Sequence, residues 1–175
     1  MNDWQICQQV VHLLKTLTWT TSGDKIFFSG STTGDDVVVA PVDPQGIIKI
    51  HTLPCVIVRP LDKNTVSFTE PRLEEVEFTI ELVLCVSVPG DGDASSSLLG
   101  RNVLAGDVGR GLLEIEEKIQ EKLELLMDWE NIRFSFHGAS SAKVGMLDET
   151  GNFCSRSLLY DVRGTRYRTY GPGRR

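Results

Sequence analysis

The side chains best able to do chemistry are His12, His51 and His137, together with Cys7, Cys55, Cys85 and Cys154. Acid–base or nucleophilic catalysis needs such a group held beside a partner. No two of these residues fall at a recognised spacing, and C-x-x-C, H-E-x-x-H and G-x-S-x-G are all missing from the sequence. The cysteines stand singly in apolar segments and read as buried free thiols acting as small hydrophobes. Asp91, Asp93 and Ser95 have the start of a calcium-loop spacing, but Ser96 stands where the loop needs glycine and Asn102 where it needs glutamate. The glycine-rich GDVGRG at 106–111 precedes a helical pattern, yet no GK[ST] follows and a polar loop, not a strand, leads into it. The chain therefore reads as a protein without catalytic residues, cofactor or metal. One charged group stands apart. Arg163, Arg166, Arg168, Arg174 and Arg175 gather at the end of the chain, interleaved with Tyr167 and Tyr170. Arginine with tyrosine suits a protein interface or phosphate contacts. Docking onto a neighbouring acidic subunit is the first expectation, and nucleic acid the second.

The totals narrow the classes. A chain of 175 residues, 41% hydrophobic, is long enough for one domain with a substantial core. Its net charge of −6 argues against broad coating of nucleic acid. No apolar run approaches the length of a membrane span. The start of the chain lacks the basic residues and small-residue cleavage site of a secretory signal, so a cytoplasmic site of synthesis and residence is expected.

The element that must position everything else is 75–88, EVEFTIELVLCVSV. Val76, Phe78, Ile80, Leu82, Leu84, Val86 and Val88 take every second position, so one strand face is wholly apolar. The other face begins acidic at Glu75, Glu77 and Glu81, then turns apolar at Val83 and Cys85. A solvated face does not change in that way, which makes Val83 and Cys85 candidates for cover by another segment or another subunit. Around this strand the pattern places a helix over 2–17, with Trp4, Cys7, Val11 and Leu14 at helical spacing and Val10 and Leu17 widening the stripe. A buried strand over 53–59 follows, then a turn at 62–64 and a weakly pairing stretch at 66–69. A polar loop occupies 89–103. The second helix spans 105–127, its apolar side carrying Val108, Leu112, Ile115, Ile119, Leu123 and Leu126. Strands at 131–137 and 153–163 flank an excursion over 138–152. Short β candidates at 37–40 and 47–50 lie on either side of a proline–glycine turn. The expected fold is a single α+β domain over 1–175. It has a mainly antiparallel four-stranded sheet, two helices packed on it, an inserted accessory β-hairpin within 20–50 and a flexible basic tail over 164–175.

In this order of elements the sequence resembles the tail terminator, or tail-completion, family of long-tailed bacteriophages. The resemblance rests on the N-terminal helix, the LPCVIV strand at Leu53 to Val58, the alternating strand Val76 to Val88, the amphipathic helix Val108 to Leu126 and the closing strand pair; residues 20–50 depart from it. It implies a structural virion protein and not an enzyme. Such a protein forms a ring, commonly a homohexamer, on the head-proximal end of the tail tube, where it ends tube polymerisation. Implied partners are other copies of the chain, the tail tube protein and the head connector, with DNA only passing through the lumen and no membrane contact. The implied location is the virion tail or neck, assembled in the host cytoplasm. Other readings are a head–tail connector or neck protein of similar fold, or an unrelated cytoplasmic protein-binding module.

Overall fold

Alternation in the sequence becomes a two-layer structure, with both helices packed on one face of a long twisted sheet. The computed structural model describes residues 3–20, 22–27, 37–39, 53–70, 73–88, 98, 111–124, 131–147 and 151–167. In chain order the elements are α1 (Asp3–Leu14), β1 (Val37–Val39), β2 (Cys55–Glu70), β3 (Leu73–Ser87), α2 (Leu112–Glu124), β4 (Ile132–Ala139), β5 (Lys143–Leu147) and β6 (Gly151–Tyr167). The sheet order is β1–β2–β3–β6–β4, with β5 also on β6. β4 and β5 follow one another along the same edge of β6, so six strands fill five positions. Every pairing is antiparallel except β1 with β2. The α+β class, the two helices and the four main strands are as the sequence predicts.

The alternating strand does what its pattern requires. Phe78, Ile80, Leu82, Leu84 and Val86 are all buried, and Ile80, Leu82 and Leu84 have no accessible surface. They pack with Val56 and Val58 of β2, Leu158, Tyr160 and Val162 of β6, and Ile132 and Phe134 of β4. The helices close this layer with Ile6, Cys7, Val10 and Leu14 from α1, and Leu112, Ile115, Ile119 and Leu123 from α2. Each such aliphatic side chain contributes about 1.5–3 kcal/mol on burial.

Several expectations need correction. Residues 62–64 do not turn the chain. β2 runs on as a 16-residue strand, about 50 Å at the usual rise. Register shifts between Pro60 and Lys63, and again between Thr65 and Ser67, absorb the irregularity. Proline lacks the N–H that a regular ladder needs, so a bulge beside Pro60 keeps the strand going. The excursion over 138–152 contains β5, whose Gly145 lies under the ring of Phe153. A Cβ built on Gly145 would come within 2.6 Å of that ring. The tail does not begin at 164, because β6 continues to Tyr167 opposite Leu73. In α1 the buried stripe is Ile6, Cys7, Val10 and Leu14, while Trp4 is exposed. The stripe is centred nearer Ile6 than the position of Trp4 suggests.

In the accessory region β1 pairs in parallel with β2, Val37 opposite Val56. The other half of the expected hairpin, 47–50, lies outside the described residues. So do the calcium-like spacing at 91–102, the GDVGR part of the glycine-rich motif, the first and last turns expected of the second helix, and most of the polar loop 89–103. The chain after α1 folds back through a single antiparallel bridge, Thr18 with Lys25. Gly23 supplies the positive φ of 71° that this tight return needs. The Thr20 amide then donates to Glu114 Oε1 at 2.9 Å, tying this return to the first turn of α2. No helix among the described residues is long and apolar enough to cross a membrane.

Candidate interaction surface

The sheet face turned away from the helices is where the structure gathers its polar and charged side chains, and it changes character along β3. Alternation puts Cys85, Val83, Glu81, Thr79, Glu77 and Glu75 on this face, one step every second residue. β2 adds Cys55, Ile57 and Arg59 opposite Cys85, Val83 and Glu81. β6 adds Ser155, Ser157, Leu159, Asp161, Arg163 and Thr165 opposite the same three positions and the three beyond, Thr79, Glu77 and Glu75.

The apolar end is covered. Cys55, Ile57 and Cys85 are buried at 7%, 4% and 2% exposure, yet none belongs to the main core cluster beneath the helices. Val83 is half-buried. The apolar turn of the face is thus real, and the cover over Cys85 comes from within this chain. The Cys55 thiol donates to the sulfur of Cys85. That hydrogen bond lowers the Cys85 pKa, burial opposes the shift, and the nearby Arg59 guanidinium assists it. On the opposite face, burial raises the Cys154 pKa, and the charge of Cys85 adds to this.

The middle of the face is a set of cross-strand pairs. Arg59 Nη1 lies 3.4 Å from Glu81 Oε2, with both side chains mostly covered. Asp161 joins two strands: its Oδ1 accepts from the Thr79 hydroxyl at 3.2 Å, and its Oδ2 lies 3.1 Å from Nδ1 of His137. His137 sits at the β4 bulge between Phe136 and Gly138, which turns its ring towards Asp161. The sequence did not reveal this constellation. Residues 137 and 161 belong to different strands, and the bulge that brings them together leaves no regular spacing. The pair is open to solvent, with the His137 side chain 62% exposed. Among the described residues no hydroxyl or thiol nucleophile is a hydrogen-bond partner of His137. The other histidines do not join it: His12 is exposed on α1, and His51 lies outside the described residues.

At the far end Arg163 meets Glu77. Arg163 Nε donates to Glu77 Oε1 at 2.7 Å, and Nη2 reaches the same oxygen at 2.7 Å. This hydrogen bond, with the Glu77 charge behind it, raises the Arg163 pKa. Arg166 stands opposite Glu74 in the register. The first arginine of the basic cluster is therefore paired with an acidic residue of its own chain. Arg168, Arg174 and Arg175 lie outside the described residues.

Beside the Arg59–Glu81 pair, Glu81, Gly138, Ser140, Lys143, Ser155, Ser157 and Leu159 line a shallow open depression of about 420 Å³. Ser140 shapes one wall: its amide donates to Ser157 O at 2.8 Å, and its hydroxyl accepts from the Ser157 amide at 3.0 Å. Arg156 borders the depression but serves the other face. Its Nε donates to Ser140 O at 2.9 Å, and its Nη1 pairs with Glu116 Oε2 of α2 at 2.9 Å. Among the described residues no group of three or more His, Cys, Asp or Glu could hold a metal ion.

No protein-family model matches this sequence, and no curated protein matches it either.

Proposed function

We propose that this chain is a structural virion protein that assembles as a ring on the head-proximal end of a phage tail tube, stops tube growth and joins the tail to the head connector. The observation that carries the reading is the graded outer face of the sheet. An apolar end at Val83, Cys85 and Ile57 passes through paired charges to an acidic and basic rim at Glu77 and Arg163. Ile57 and Cys85 are covered within the chain, so contact between identical subunits would rest on the half-buried Val83 at the edge of that apolar end and on the polar rim for register. The element order supports it as well: helix, strand, long strand, helix and closing strands follow the sequence pattern on which the resemblance rests. The acidic net charge suits a lumen through which DNA passes without being gripped.

Val83 is the interface residue this reading depends on most. Cys85 contributes from beneath, since it is already covered. Arg163 acts at the rim together with Glu77, and the reading assigns Arg166, Arg168, Arg174 and Arg175 to docking on the neighbouring subunit or the connector. Adding the purified chain to polymerising tail-tube protein tests the proposal. Shortened tubes with the chain bound at one end are expected. Tubes of unchanged length that carry no bound chain contradict it.

A further inference from the structure

On the sheet face away from the helices, Cys55 and Cys85 stand directly opposite one another on neighbouring antiparallel strands. Opposed residues on such strands hold their Cβ atoms about 4.5–5.5 Å apart. A disulfide needs about 3.5–4.5 Å, so closure asks for a small approach and no change of register. The two thiols are already in hydrogen-bond contact, and neither is in a disulfide. The remaining cysteines are placed differently. Cys154 and Cys7 belong to the core under the helices, on the other side of the sheet. Among the described residues, Cys55 and Cys85 are thus the one cross-strand cysteine pair on this face.

We propose that Cys55 and Cys85 form a redox site, closed to a cross-strand disulfide by a peroxide and reopened by a thiol reductant. The chemistry balances in two steps. The Cys85 sulfur, as thiolate, attacks one oxygen of hydrogen peroxide; the O–O bond breaks, Cys85 becomes a sulfenic acid and hydroxide leaves. The Cys55 sulfur then attacks the sulfenic sulfur, the S–S bond forms, and the sulfenic oxygen departs as water with the Cys55 proton. Two thiols lose two electrons in all, and the peroxide is reduced to water. The Cys55 hydrogen bond and the Arg59 guanidinium both favour the thiolate of Cys85, which is the attacking form.

Access suits a small oxidant. Both side chains are nearly covered, which excludes a bulky disulfide reagent more than a molecule scarcely larger than water. The pair also sits near the end of the ladder, since Cys55 opens β2 and β3 closes at Ser87. Strand ends open more readily than strand centres. Once closed, the bond restrains the unfolded segment between the two residues and stabilises the fold.

The test uses the full chain. The folded protein is exposed to hydrogen peroxide, quenched in acid, unfolded, alkylated with N-ethylmaleimide and weighed intact. The expected result is loss of alkylation at two of the four cysteines, a linked Cys55–Cys85 peptide on digestion, and full recovery of alkylation after dithiothreitol. The oxidised protein should also melt at a higher temperature than the reduced one. In Cys55→Ser, peroxide should oxidise Cys85 without any bridge within the chain. Four alkylatable thiols after peroxide treatment would overturn the proposal. So would a bridge between other cysteines, or direct passage of Cys85 to the sulfinic acid in the unsubstituted protein.

Discussion

Tyr160 carries a polar atom where the core offers it nothing. Its side chain has no accessible surface, its ring stacks at a tilt on Phe136 with centroids 5.5 Å apart, and its hydroxyl is buried without a hydrogen-bond partner among the described residues. Burial, then the charges of Glu124 and Glu116, push its pKa above the ordinary value of about 10. The folded state therefore favours the neutral phenol. The resulting stability is fully present below pH about 10 and is lost as the pH rises above it, because the unfolded chain ionises first. Tyr160→Phe should remove this alkaline loss. At neutral pH it should leave stability unchanged or raise it by about 1 kcal/mol, since an unpaired buried hydroxyl is deleted and the ring is kept. Urea melts of both proteins at pH 7 and above pH 10 check this; a variant much weaker at pH 7 would mean that the hydroxyl has a stabilising partner. Alternation along β6 puts Tyr160 on the inner face with Leu158 and Val162. The missing partner was not legible, because it depends on which side chains of α2 come to lie over the ring.

At the scale of elements, alternation decided most of the sheet. The inner face of β3 followed from its period of two, and Leu84→Asp should abolish folding by burying an unpaired carboxylate, visible as loss of cooperative melting. The continuation of β2 past Pro60 was not legible, because a bulge cancels the period that marks a strand. β5 was hidden for a related reason, as Val144 and Met146 alternate over only five residues, too short a run to stand out between the small and polar residues around it. Arg156 shows the limit of the rule in another way. Alternation assigns it to the helix side of β6, where a charged residue looks out of place. There it pairs with Glu116, whose side chain is only 13% exposed, and also holds the carbonyl of Ser140 at the break between β4 and β5. This contact docks α2 and fixes the edge strand together. Arg156→Ala should cost about 1–3 kcal/mol, because it leaves Glu116 covered and unpaired. The double variant with Glu116→Ala should recover part of that loss in a thermal double-mutant cycle. Strict additivity of the two changes would show that the pair does not dock the helix.

The whole molecule presents one helix-covered face and one graded face, and the central claim concerns the second. The turn from acidic to apolar was legible in Glu75 to Cys85, because outer positions declare their surroundings by polarity. What covers the apolar end was not, since pattern alone cannot separate cover from the same chain and cover from a neighbour. Burial of Cys55, Ile57 and Cys85 in the single chain gives part of the answer, and the half-buried Val83 beside them is the residue that the proposed ring would cover. The basic end of the chain divides in a similar way, with Arg163 held by Glu77 and Arg166 set opposite Glu74. Native mass spectrometry of the purified chain, with electron microscopy of the same sample, tests the claim most directly. The account predicts a single closed ring of identical subunits that dissociates when Val83 is replaced by glutamate while the melting of the isolated chain stays cooperative. A monomer at every concentration, without rings in the micrographs, would contradict it.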